Sequence, residues 1–282
     1  MKITTLIENK ASKTDSRLVS EWGLSLHIAF SGHDILFDTG ASGSFAKNAE
    51  RLSVNLASVE AAVLSHHHFD HGGGLKGFFE LNSNAKVHLG ETPSGDCFAR
   101  LFWFVKKYVG LEKALLKAWP DRFAIVREPT QVLPDVFIFP NILDTYPRPK
   151  GNKRLYLRRN GELTPDAFTH EIVMAIKENE KLVVFTGCSH SGILNMVDTV
   201  AKQFPGVPIK AVIGGFHLVA SPPFNAMAGS IREVEDLGRS VINYPVGMTY
   251  TGHCTGTKAF GVLKGVMGER LRDIQTGTCF EV

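Results

Sequence analysis

The segment Ser65-His66-His67-His68-Phe69-Asp70-His71-Gly72-Gly73-Gly74 constrains this chain more than any other. It holds four of the chain's eleven histidines within six residues, directly after an apolar stretch, Ala61–Leu64, that reads as a short strand. Imidazole nitrogens and a carboxylate are the donors that zinc, manganese and iron take. Alternate residues of an extended segment project to the same side, so His66 and His68 are expected to share one metal. Asp70 and His71 fall where the chain turns into a helix, within reach of a second metal. His67, out of phase with its neighbours, is expected to point away as a supporting or surface histidine. The glycines allow a tight turn beside the ions.

The flanking sequence alternates strands and helices. Strands are expected at 2–7, 22–30 and 34–37, the last two forming a hairpin through Ser31-Gly32-His33-Asp34. Helical spacing occupies 44–56, and a further strand covers 85–89. Residues 97–120 carry Phe98, Leu101, Phe102, Phe104, Val105, Val109, Leu111, Leu115, Leu116 and Trp119 before Pro120. They are expected to form a helical insertion, either core helices or a lid or dimer surface. A hairpin is expected at 170–187 with Asn179-Glu180 as its two-residue turn. That register sets residue 178 opposite 181 and brings His170 beside Cys188-Ser189-His190. A helix at 192–204, a strand at 209–213, a helix from 231 to about 244, a short strand to His253, and a last helix and strand follow. With no visible linker, the reading is one α/β domain spanning 1–282.

At 44% hydrophobic and 21% charged, the chain has the composition of a globular protein with a large core. No apolar run approaches the ~20 residues that span a bilayer. The first residues lack the apolar core and cleavage site of a signal peptide. The four cysteines form no C-x-x-C pair, which suits reduced thiols. A cytoplasmic location is the expectation, with a homodimer possible. A net charge of +3 does not by itself argue for nucleic acid.

The H-x-H-x-D-H pattern after a strand resembles the signature of the metallo-β-lactamase superfamily, and Phe37-Asp38-Thr39-Gly40 resembles its first motif. The resemblance implies an αββα sandwich with two divalent metals at one sheet edge, Asp38 supporting the metal histidines, and His253 as the last histidine, joining Asp70 and His71 on the second metal. The chain departs from the usual pattern at Val183-Val184-Phe185-Thr186-Gly187-Cys188-Ser189-His190, where Cys188 stands in place of the aspartate that bridges the metals. The remaining ligand of the first metal is therefore open among His190, His170 and Cys188, in that order. Gly-Cys-Ser-His-Ser-Gly-Ile-Leu-Asn from Gly187, Gly214-Gly215-Phe216-His217-Leu218 and Gly-His-Cys-Thr-Gly from Gly252 resemble the branch named for a dihydropterin–ribofuranosylaminobenzene-phosphate synthase.

His217, after a strand and a Gly-Gly turn, can face the cleft as a general acid or a donor to phosphate. Between Arg148 and Arg159 lie six basic residues in twelve positions, a local positive field on a nearly neutral chain. Arg154 is the candidate for a bidentate phosphate contact, and Tyr146 and Tyr156 are candidates for stacking on a heterocycle. The expected activity is metal-dependent hydrolysis or transfer on a small phosphorylated, heterocyclic substrate, with Asp70 and His217 in catalytic roles. Zinc is the first expectation for the metals, with manganese, iron or magnesium also possible. The alternatives are a nuclease or phosphodiesterase, which needs a groove for a polymer, and a non-catalytic metal sensor. No flavin-binding segment follows, which argues against flavodiiron electron transfer.

Overall fold

Two seven-stranded sheets lie face to face in the computed structural model, which describes residues 1–100, 106–221 and 226–282. The first sheet runs, edge to edge, through Cys279–Glu281, Lys2–Ile7, Ser25–Phe30, His33–Phe37, Ala61–Leu64, Lys86–Leu89 and Phe123–Ile125. The second runs through Leu271–Asp273, Val246–Thr251, Ile209–Ile213, Lys181–Phe185, Val173–Glu178, Val136–Phe139 and Thr130–Leu133.

Alternation along these strands decides the layering. Ile35, Phe37 and Val63 of the first sheet meet Met174, Ile176, Val183, Phe185 and Ile213 of the second in one buried core. Their neighbours Leu36, Ala62 and Leu64 face outward, beneath Phe45, Ala49, Leu75 and Phe78 of the helices Ser44–Arg51 and Leu75–Leu81. On the far side, Val173, Val184 and Val212 pack under the helices Ile193–Gln203, Ile231–Asn243 and Thr257–Met267. Strands buried on both faces explain why Ala61–Leu64 and Lys181–Phe185 read as nearly continuous apolar runs. The order helix, sheet, sheet, helix is the expected αββα sandwich.

The Asn179-Glu180 hairpin forms as expected: both turn residues have positive φ, 50° and 58°, and Glu178 faces Lys181. The expected strand at 22–30 begins only at Ser25, and the helix expected to reach 56 stops at Arg51.

The helical expectation for 97–120 is corrected. Asp96–Arg100 and Lys106–Tyr108 are antiparallel strands, joined to Leu155–Arg159 and Glu162–Pro165 in a four-stranded sheet. Only Leu115–Ala118 is α-helical, and residues 101–105 of that stretch lie outside the described residues. Aromatic pairing across the strands outweighs the helical spacing. Phe98 faces Tyr108 with ring centroids 5.7 Å apart, and Cys97, Val109 and Leu157 form a small buried cluster of their own. This sheet borders the histidine segment, where Phe69 N–H donates to Val109 O at 2.9 Å and His68 bridges to Gly110.

Candidate metal centre

The histidine segment leaves the end of Ala61–Leu64 and is oriented from below by Asp38, at the end of the neighbouring strand. Asp38 is buried and left-handed, with φ 58°. Its Oδ1 accepts Ser65 N–H at 2.8 Å, and its Oδ2 accepts Ser65 Oγ at 2.8 Å and pairs with His71 Nδ1 at 2.6 Å. The Ser65 hydroxyl, its proton given to Asp38, accepts from His66 Nδ1 at 2.9 Å. On the opposite side, Asn152 Oδ1 lies 3.0 Å from His190 Nδ1, and Asn9 Oδ1 lies 2.8 Å from His253 Nδ1. A side-chain carbonyl or carboxylate oxygen can only accept, so each of these imidazoles carries its proton on Nδ1 toward its partner. The Nε2 atoms of His66, His71, His190 and His253 are thereby turned inward, toward one another.

These nitrogens converge closely. His66 Nε2 lies 3.1 Å from His68 Nδ1, and His71 Nε2 lies 3.2 Å from His253 Nε2. The Nε2 atoms of His190 and His68 are buried with no hydrogen-bond partner among the described residues. Imidazole nitrogens converging in a dry cluster, two of them buried without a partner among the described residues, fit the divalent metals that the histidine pattern implies. His66, His68 and His190 group as donors for one position. Asp70 Oδ2, held by Trp22 Nε1 at 2.9 Å and lying 3.5 Å from His253 Nε2, joins His71 and His253 around a second. Cys188 Sγ lies 3.2 Å from His71 Nε2.

Burial, with the charges of neighbouring histidines, pushes His66 and His190 well below the ordinary imidazole range, and burial brings His68 down to about 3, so all three are neutral donors at physiological pH. Burial opposes the charge of Asp70, but the neighbouring His253 and His71 hold its carboxyl well below the usual range. Burial likewise lowers His71, and the Asp38 carboxylate more than reverses this, raising it to about 9, so a metal bound at its Nε2 would have to displace a proton.

The structure therefore brings His66, His68, Asp70, His71, His190 and His253 together. His170 stands behind the cluster: its Nδ1 accepts His67 N–H at 3.3 Å and its Nε2 pairs with Asp166 Oδ2 at 3.2 Å, so neither nitrogen is left for a metal. His67 points away, as expected, but is buried rather than on the surface, its Nε2 3.3 Å from Gly90 O. What sequence reasoning missed is Glu171, whose buried carboxylate accepts His190 N–H at 2.7 Å and Ser191 N–H at 2.6 Å, fixing the loop that carries His190. Glu8 does the same for the backbone N–H of His253. Single acidic residues at strand ends give no sequence pattern that would reveal either role.

A cavity of about 570 Å³ opens over the cluster. Asp70, His68, Cys188 and His190 form its floor, with His217, Trp22 and Phe69 on its walls. His217 sits at φ 49°, its ring 4.1 Å from that of His190, and neither ring nitrogen has a hydrogen-bond partner among the described residues. Of the six basic residues in 148–159, Arg154 alone lines this cavity. Arg148 pairs with Asp144 at 2.8 Å, Lys150 pairs with Glu233, Arg158 pairs with Asp96 at 3.3 Å, and Arg159 borders a separate cavity. At this cavity the expected field of the whole loop is thus corrected to one arginine, Arg154 being the one of the six that lines it. Arg100 and Lys107, from the two strands that read as helix, supply the remaining cationic lining. Arg100 Nε is buried without a partner among the described residues. The stacking expectation for Tyr146 and Tyr156 is also corrected. Tyr146 borders a different cavity, and Tyr156 donates to Lys153 O at 3.1 Å beneath the Arg100 guanidinium.

A four-layer sandwich with imidazoles and a carboxylate converging at one sheet edge defines a class, and the chain belongs to the metallo-β-lactamase superfamily, whose family profile matches residues 25–95. Within it, the chain is 32% identical over 271 residues to the 7,8-dihydropterin-6-methyl-4-(beta-D-ribofuranosyl)-aminobenzene-5'-phosphate synthase of Methanocaldococcus jannaschii, covering 92% of this chain and 89% of that one. It matches the crystal structure of a metal-dependent hydrolase of the beta-lactamase superfamily with a TM-score of 0.81 and 28% identity, over 100% of this chain and 99% of that one. Zn(2+)-bound PqqB from Methylobacterium extorquens shares the fold, with a TM-score of 0.57 and 12% identity over the full length of both chains.

Proposed function

We propose that this protein is a metal-dependent enzyme that hydrolyses, or transfers a group on, a small phosphorylated heterocyclic substrate. The observation that carries this reading is the cavity itself: His68, Asp70 and His190 of the donor cluster open into it, and Arg100, Lys107 and Arg154 line the same space. Divalent metals held by His66, His68 and His190, and by Asp70, His71 and His253, would supply Lewis acidity and a water-derived nucleophile at neutral pH. Zinc suits this nitrogen-rich set best.

The protein's own groups do the rest. Asp70, fixed by Trp22, presents a carboxylate at the cavity floor. His217 offers a ring nitrogen there as general acid or as donor to phosphate. Arg154 binds the phosphate and Arg100 adds a second charge-assisted donor. Trp22 and Phe69 give apolar faces against which a flat ring can lie. A pocket of this volume suits a small ligand and disfavours a polymer. The 5'-phosphate and dihydropterin in the name of the 32% identical relative support the same substrate class.

Charge-assisted arginine–phosphate contacts are worth roughly 1.5–3 kcal/mol. Arg154→Ala is therefore expected to raise KM for phosphorylated substrates about ten- to a hundredfold with metal content unchanged. Equal loss on neutral esters would show the arginine to be structural and sink the anionic-substrate reading.

A further inference from the structure

We infer that Cys188 is a thiolate ligand shared by both metal positions, occupying the bridging place that an aspartate fills in the usual pattern. The inference rests on the proposed metal centre and adds to it a ligand and a metal preference.

Cys188 Sγ groups with His66 and His71, with His190 and His217, and with His253 and Cys254, the donor atoms of each group lying within 4.8 Å of one another. It is thus near donors of the first position, His66 and His190, and of the second, His71 and His253. Two donors bound at about 2.0–2.3 Å to one zinc can be no farther apart than roughly 4.6 Å, so these spacings need little adjustment.

The backbone is shaped to bring the sulfur there. A Cβ on Gly187 would lie 2.0 Å from Ser65 Oγ and 3.2 Å from His66 Nδ1, so only glycine lets the strand end approach the histidine segment this closely. Cysteine is one atom shorter than aspartate, and its longer metal bond, about 2.3 Å against about 2.0–2.2 Å for oxygen, recovers part of that reach. It carries the same single negative charge once ionised.

The neighbouring Cys254 is otherwise engaged. Its thiol donates to Cys188 O at 3.5 Å and accepts His217 N–H at 3.3 Å, and a Cβ on Gly215 would lie 2.4 Å from its sulfur. Burial pushes the Cys188 thiol up, with the adjacent Cys254 sulfur adding to the rise. A coordinated cation overrides that, because a metal-bound thiol is deprotonated outright. A soft thiolate at the shared position favours zinc or iron over manganese and magnesium.

Cobalt(II) titration of metal-free full-length protein tests this by optical spectroscopy. A near-ultraviolet sulfur-to-cobalt charge-transfer band is expected to grow through both equivalents. It should persist in Cys254→Ser and vanish in Cys188→Ser. Cys188→Asp should still bind two ions, lack the band, and shift the zinc-over-manganese preference on the order of tenfold toward manganese. Two bound cobalt ions without the band in the wild type would overturn the inference and leave the metal centre standing. A band that stops growing at one equivalent while a second ion binds would overturn the shared position. A band lost in Cys254→Ser and kept in Cys188→Ser would give the role to the other cysteine. Failure of the wild type to bind cobalt would overturn the metal centre, and this inference with it.

Discussion

Asp38 and the two asparagines, Asn9 and Asn152, carry more of the site than their positions suggest. Each fixes which nitrogen of a histidine faces inward, and a wrong tautomer would place an N–H where a lone pair is required. Removal of such a support typically costs ten- to a hundredfold in metal affinity. Asp38→Asn should therefore weaken binding at the position of His71 by that factor, as read by competition with a chelator, because its amide can no longer accept from both Ser65 and His71. His190→Ala should lower bound metal by about one ion per chain. His170→Ala should leave metal content unchanged, since both nitrogens of His170 are already engaged. Equal metal loss in the two variants by elemental analysis would contradict the assignment.

Elements explain what was legible in the sequence. Ala61–Leu64 and its histidine segment stand where periodicity places them, and the 179–180 turn fixes a register that brings residues near 188 toward those near 170. The arithmetic was correct, yet it drew attention to His170, while the adjacent Glu171 is the residue that ties the two segments together. The four-stranded sheet was not legible, because Phe98, Val109 and their neighbours satisfy helical spacing and strand composition alike. Arg100 and Lys107 were missed with it. The segment Lys150–Arg154 is held against His217: a Cβ at Gly151 would lie 2.7 Å and 2.8 Å from its ring atoms. Gly151→Ala should displace that ring and lower kcat with metal content unchanged. The helix Ile193–Gln203 is anchored at Asp198, which pairs with Lys202 at 3.1 Å and accepts from the Tyr244 hydroxyl. Burial opposes the charge of Asp198, but these partners hold its carboxyl below the usual range. Its contribution to stability is present above the unfolded-state value and is lost as pH falls through the folded one. Asp198→Asn should cost about 1 kcal/mol at pH 7, and the difference from wild type should close below about pH 4, as read by urea unfolding.

At the scale of the whole molecule, the strands Lys2–Ile7 and Cys279–Glu281 pair at one edge of the first sheet, and among the described residues no helix is long and apolar enough to cross a membrane. The donors are divided between the halves of the sandwich. His66, His68, Asp70 and His71 leave the first sheet, whereas Cys188, His190 and His253 follow strands of the second. Ions bound among them would add cross-links between two layers whose interface is largely apolar. A ligand at a hundred times its Kd stabilises by about 2.7 kcal/mol, so chelation should lower Tm by several degrees. The loss of rigidity should be uneven. Backbone amides of 186–192 and 252–256 should exchange with deuterium faster after chelation, while those of Val173–Glu178 and Ile209–Ile213, buried between the layers, keep their protection. Metal supply would then set the stiffness of one rim of the sandwich and leave its interior unchanged.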